Sequence, residues 1–202
     1  MKKNTFLYVL RLALTLLAIT AIMAAALAGV NKLTQGRIAA VEQEKKDQAI
    51  RAVMKWGKEA SEVPFSDDTG LVKKVYRSEQ YYYGCEPIGG IYAYDYAVEV
   101  EVMGFDGPIT MMVGIEMGHA VCGLSIVSHS ETAGLGAVAA ADSEAGKAFR
   151  SQFAYRSEAV AVTKDGGDVD AITGATVTSR AVCKGVSAAL ACVEKLQQEV
   201  QP

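Results

Sequence analysis

The sequence predicts an α+β protein: an antiparallel sheet with packed helices, preceded by one N-terminal transmembrane helix. Three observations carry this. Leu12 to Val30 contains no charge, and its polar residues are Thr15 and Thr20. Tyr92 to Val102 alternates large apolar residues with small or charged ones. Ser179 to Val200 carries Val182, Val186, Leu190, Val193 and Leu196 on one helical stripe.

The apolar run comes first. About 19 uncharged residues are enough to cross a bilayer as a helix. Arg11 sits near its start, where a long side chain can reach the interface. Lys2 and Lys3 followed by an apolar run, with Ala26-Leu27-Ala28 before Gly29, also resembles a cleaved signal peptide. The run is longer than a usual signal core, so an anchor is expected over residues 1–30. Basic residues on the two sides do not decide orientation. Lys2, Lys3 and Arg11 precede the span; Lys32, Arg37, Lys45 and Lys46 follow it. The short, signal-like start favours an inside N-terminus and an outside domain.

Residues 31–60 predict a linker helix, with Leu33, Ile38, Val41, Ile50 and Val53 at roughly helical spacing among charges. Trp56-Gly57 and the Pro64 to Gly70 stretch end it. The folded domain is expected over residues 61–202. In it, Tyr92 to Val102 predicts a strand with one buried and one wet face. Gly104 to Pro108 is a turn, Ile109 to Ile115 the next strand, Met117-Gly118 a tight turn, and Ala120 to Val127 a third strand. Asp142 to Phe153 and Ser179 to Val200 predict helices. The tyrosines are expected to pack on the sheet.

Composition removes several function classes. The net charge is −3, which gives no basic surface for a nucleic-acid backbone. Cys85, Cys122, Cys183 and Cys192 form no CxxC pair, and the histidines are His119 and His129. No metal site is therefore expected. Cys183 and Cys192 on one helix would lie roughly 13 Å apart, too far for a disulfide. Cys85 and Cys122 are open to pairing outside the cytoplasm, or to being free buried thiols. No GxGxxG follows a strand and no paired acid and base stand out, so no catalytic residue is assigned.

One segment carries chemistry: Asp170-Ala-Ile-Thr173-Gly174-Ala175-Thr176-Val-Thr178-Ser179, just before the last helix. Small residues allow close backbone approach, and free amides at a helix start attract phosphate. A cluster of helix caps, with Thr178 or Ser179 starting the helix, accounts for the same residues. Both explanations stand on the residues alone. Lys164 could reach a phosphate or simply be solvated, and His129 fits a structural role as well as a ligand contact.

Asp-x-x-Thr-Gly-Ala-Thr resembles the flavinylation motif of the FMN-binding domain in the G subunit of the Rnf complex. It is also similar to the C subunit of the sodium-pumping NADH:quinone oxidoreductase. In that family a transferase joins the FMN phosphate to the last threonine as a phosphoester, which corresponds to Thr176. His129-Ser-Glu131-Thr132-Ala133-Gly134-Leu135-Gly136 resembles the family's Glu-Thr-Pro-Gly-Leu-Gly segment along the flavin ring, with Ala133 where proline is usual. Gly104 to Ile109 followed by Val113 to Ile115 resembles its strand-turn-strand.

The resemblance implies that residues 61–202 form an FMN-binding domain. It implies covalent FMN on Thr176 with Thr173, Gly174, Ala175, Thr178, Glu131, Thr132, Leu135 and Gly136 around the cofactor, and Asp170 recognised by the flavin transferase. It implies an electron-relay subunit that has no complete active site of its own. Its partners would be the other subunits of a membrane complex coupling ferredoxin–NAD electron transfer to Na⁺ or H⁺ transport. The expected location is the cell inner membrane, single-pass, with the domain on the extracytoplasmic side. The alternatives are a relay subunit of the sodium-pumping quinone reductase, a free-standing flavinylated carrier, or a non-redox membrane-anchored sensor or scaffold in which Thr173 to Ser179 is only a helix cap.

Overall fold

A computed structural model describes residues 2–54, 60–65, 69–81, 92–116 and 119–200. Helix α1 spans Lys2–Val53 without a break. The chain divides into two units, Met1–Glu44 and Lys45–Pro202. In the first, α1 is the one helix among the described residues long and apolar enough to cross a membrane. Its large apolar side chains, among them Leu16, Leu17, Ile22 and Leu27, are about two-thirds exposed.

The second unit is a five-stranded antiparallel meander in the order β1-β2-β3-β4-β5. Its strands are β1 (Ser61–Val63), β2 (Val72–Tyr81), β3 (Tyr92–Met103), β4 (Pro108–Ile115) and β5 (Val121–Ser128). Two helices follow, α2 (Glu144–Ser151) and α3 (Thr176–Val200). The three expected strands are in place, and β1 and β2 extend the sheet beyond them. The register between β2 and β3 shifts between Val72 and Lys74. Such an irregularity interrupts the period-two pattern by which a strand is recognised.

On one face of the sheet, Val98, Val100 and Val102 of β3 with Met111 and Val113 of β4 form a core with α3. The expected α3 stripe is buried throughout, from Val182 and Val186 to Leu190, Val193 and Leu196. Each such side chain contributes about 1.5–3 kcal/mol by leaving water. Phe149 and Phe153 close this core edge-to-face at 5.4 Å, and Tyr96 packs in it as expected.

The other face of β3 is dry from Asp95 to Glu99 and wet at Glu101 and Met103. Asp95, Ala97 and Glu99 are buried as deeply as their neighbours. The end of α1 covers Ala97 and Glu99: Ala49 and Val53, with Met54 just beyond the helix, pack on Ala97 and Met112. Lys46 Nζ lies 2.7 Å from Glu99 Oε1, which compensates a carboxylate at 5% side-chain exposure. Close approach depends on Gly114, where an added Cβ would stand 2.2 Å from the Val53 carbonyl oxygen. Cys122 Sγ donates to that same oxygen at 3.1 Å. Cys85, Trp56, Gly57, Met117 and Gly118 lie outside the described residues, so the Cys85–Cys122 pairing does too. Cys183 and Cys192 are buried thiols of α3. No group of metal-binding side chains occurs among the described residues.

Candidate functional site

Helix α3 begins at Thr176, three residues earlier than its apolar stripe predicts. Neither Thr178 nor Ser179 therefore starts the helix. Thr178 and Ser179 lie inside the first turn, and the residue preceding the helix is Ala175, whose methyl group cannot cap. Ser179 Oγ instead turns back, donating to the Ala175 carbonyl and accepting from the Ile172 amide, both at 3.0 Å. The first-turn amides have no acceptor within the helix. Gly174 makes the turn into the helix at φ 77°, and an added Cβ would meet Leu135 Cδ2 at 3.0 Å. The two motif segments therefore touch.

Glu131 joins three parts of the chain. Its Oε1 accepts from the Phe105 and Asp106 amides at 2.8 and 3.3 Å, in the turn after β3. Its Oε2 accepts from Thr178 Oγ1 at 2.5 Å, at the start of α3. Gly104 and Gly136 leave room for it: a Cβ on either would fall 2.1 and 2.3 Å from its carboxylate oxygens. Both oxygens of this buried group are thus engaged by protein donors. The loop around it is tight without a proline. The Thr132 carbonyl accepts from the Leu135 and Ala137 amides, each at 3.2 Å, and Gly134 takes φ 77°. Thr132 Oγ1 donates to Asp106 Oδ2 at 2.5 Å. His129 Nδ1 accepts from the Glu131 amide at 3.2 Å, a loop contact outside the site.

These contacts open a cleft of about 350 Å³. Glu131, Thr132, Leu135, Gly136, Gly174, Ala175, Thr176 and Thr178 line it, together with Phe105, Val177 and Lys164. Thr173 and Asp170 do not. Asp170 is exposed, and its backbone is held by the Gln152 side chain, which accepts from its amide at 2.7 Å and donates to its carbonyl at 3.2 Å. Phe105 and Val177 were not singled out from the sequence. Phe105 had a usable signal, an aromatic at the tip of a Gly-Phe-Asp-Gly turn. It is 69% exposed, and Leu135 and Val177 are 44% and 46% exposed, so apolar surface faces solvent around the cleft.

The polar end belongs to Lys164, whose Nζ stands 3.5 Å from Thr176 Oγ1. Lys164 lies in a 3₁₀ turn, Thr163–Asp165, closed by a bridge between Val162 and Val169. Asp165 pairs with Arg180 through two contacts of 2.6 Å. The hydrogen bond from Arg180 holds the Asp165 carboxyl below its ordinary range. The cleft thus combines an apolar surface, close backbone approach and one hydroxyl between a helix start and an ammonium. A planar ring with an anionic tail fits that donor set.

Residues 104–191 match the FMN-binding domain family, and residues 1–53 match the RnfG N-terminal region. The chain is 31% identical over 180 residues to the G subunit of the ion-translocating oxidoreductase complex of Methanosarcina acetivorans, covering 87% of this chain and 89% of that relative. It is 28% identical over 202 residues to the G subunit of the Na⁺-translocating ferredoxin:NAD⁺ oxidoreductase complex of Acetobacterium woodii, covering 94% of each. A stretch of 99 residues is 43% identical to the G subunit of the proton-translocating ferredoxin:NAD⁺ oxidoreductase complex of Clostridium ljungdahlii, 47% of this chain and 51% of that relative. The chain belongs to the G-subunit family of the Rnf-type ion-translocating oxidoreductase complexes.

Proposed function

We propose that the chain carries FMN as a phosphoester on Thr176. It then serves as an electron-relay subunit of a membrane complex that couples electron transfer between ferredoxin and NAD to Na⁺ or H⁺ transport. The observation that supports this most is the placement of Thr176. Its hydroxyl opens α3 at a cleft with an apolar surface of Phe105, Leu135 and Val177 and with Lys164 at the polar end. The relatives in Acetobacterium woodii and Clostridium ljungdahlii are named as subunits of ferredoxin:NAD⁺ oxidoreductase complexes. The other subunits of such a complex are the partners.

Bound flavin supplies the reversible redox chemistry. The chain supplies attachment, orientation and surroundings. Leu135, Phe105 and Val177 offer surface to the ring, and Gly174 and Gly136 let the backbone approach it. The start of α3 and Lys164 favour the phosphate. Glu131 and Thr178 hold the surrounding segments in register, with their polar atoms turned to one another. Asp170 lies outside the cleft with an exposed side chain, which suits recognition by the flavin transferase during maturation.

Helix α1 anchors the subunit by a single pass in the cell inner membrane, with the domain on the extracytoplasmic side. Denaturing electrophoresis of the chain made together with a flavin transferase tests the reading. A fluorescent band and a mass increase of one FMN residue are expected. A colourless chain of unmodified mass under those conditions contradicts it.

A further inference from the structure

We propose that Lys164 is the counter-ion of the flavin phosphate, kept available for it by the Asp165–Arg180 pair. This rests on attachment at Thr176. A phosphate esterified to both a ribityl chain and a threonine keeps one ionised oxygen, so one cation balances it. Lys164 Nζ is already 3.5 Å from the esterified position, a distance that defines placement more than a strong bond. Its turn is built to hold it there. The Asp165 amide donates to the Val162 carbonyl at 2.8 Å, and Gly167 donates to the same carbonyl at 3.1 Å. Gly166 leaves the turn at φ 86°. At Gly167 an added Cβ would stand 2.1 Å from the Ala161 oxygen, so this loop has little freedom to shift.

The neighbouring charges are spoken for. Asp165 is the carboxylate that would otherwise draw Lys164 away or repel a phosphate. Arg180 engages both its oxygens. Arg180 stands one helical turn beyond Thr176, on the same face of α3, so the helix that presents the hydroxyl also restrains the competing acid. Asp168 is paired with Arg156. The Glu131 oxygens accept from Phe105, Asp106 and Thr178. Among the described residues, Lys164 is the lysine or arginine that lines the cleft.

The test uses the full chain in detergent, loaded with flavin by a transferase, and reads the phosphorus resonance of the attached phosphate. In the native protein this resonance is expected to be displaced from its denatured position, and high salt is expected to shrink the displacement. Lys164→Gln should remove at least half of it; Lys164→Arg should retain it. Arg180→Gln, which frees Asp165, should act in the same direction as Lys164→Gln, and adding Asp165→Asn should reverse the effect. The initial loading rate should fall about two- to fivefold in Lys164→Gln, the size of one exposed ion pair. If Lys164→Gln fails to load while Lys164→Arg loads, the charge is required on arrival, and the inference is supported. A wild-type resonance in Lys164→Gln overturns the inference and leaves attachment intact. Failure of both variants to load, with native circular dichroism, overturns it as well. Absence of any phosphorus resonance and flavin mass in wild type would instead defeat the attachment on which it rests.

Discussion

Thr178 Oγ1 donates to Glu131 Oε2 at 2.5 Å across 47 residues of sequence, with both groups buried. This contact joins the start of α3 to the loop after β5, and through the second carboxylate oxygen to the turn after β3. It makes Glu131 and Thr178 positioning residues: they shape the cleft by satisfying one another.

Breaking that contact has a predictable cost. Thr178→Val removes the donor while leaving the buried carboxylate oxygen in place, which should destabilise the domain by about 1–3 kcal/mol. Glu131→Gln keeps the shape and an acceptor for the Phe105 amide, so its loss should be smaller. Urea unfolding followed by circular dichroism compares them. Equal stability of Thr178→Val and wild type would show that the contact carries nothing.

Gly174→Ala tests the joint between the two motif segments. The position takes φ 77°, which costs a residue with a Cβ roughly 1 kcal/mol. The new methyl group would also press on Leu135 Cδ2. A several-fold lower yield of flavin-loaded chain is expected by intact mass, with the fold retained. Unchanged loading would mean that the approach of these segments does not shape the acceptor.

Gly114→Ala tests how the end of α1 sits on the sheet. The added Cβ would meet the Val53 carbonyl, which is backbone and cannot swing aside. Overpacking of this kind costs about 1–3 kcal/mol. Hydrogen exchange should show faster opening in residues 45–53 and little change in α3. Faster exchange confined to α3 would contradict the packing.

Cys183 predicts a pH dependence. Burial, with a smaller contribution from Asp165, pushes its thiol up to about 11 from 9.0. Below pH 9 both folded and unfolded chains hold the proton, so stability is unaffected. Between pH 9 and 11 the unfolded chain releases it while the folded chain keeps it, and stability falls as pH rises. The loss levels off above pH 11 at no more than about 3 kcal/mol. Cys183→Ala should flatten that slope, and the native thiol should resist alkylation at pH 8. Identical slopes in the two proteins, or rapid alkylation of Cys183, would count against it.

Much of this was legible in the residues, and the failures have physical causes. The alternation from Tyr92 to Val102 marked β3, because side-chain direction has period two. It could not show that part of the second face would be dry, since the α1 turns covering Ala97 and Glu99 come from more than 40 residues away. Strand β2 escaped because its pattern is interrupted near Val72 and Lys74. The start of α3 was placed late because Thr176, Val177 and Thr178 are β-branched and weak helix formers. Glu131 lines the cleft beside the motif at the start of α3. Its role was not legible, because its partners Phe105, Asp106 and Thr178 converge only in three dimensions.

Attachment at Thr176 is best tested by peptide mapping of the flavin-loaded chain beside its Thr176→Ala and Thr173→Ala variants. One FMN is expected on the peptide containing Thr176 in wild type and in Thr173→Ala, and an unmodified peptide in Thr176→Ala. Covalent flavin retained in Thr176→Ala, on Thr173 or on any other residue, would contradict it.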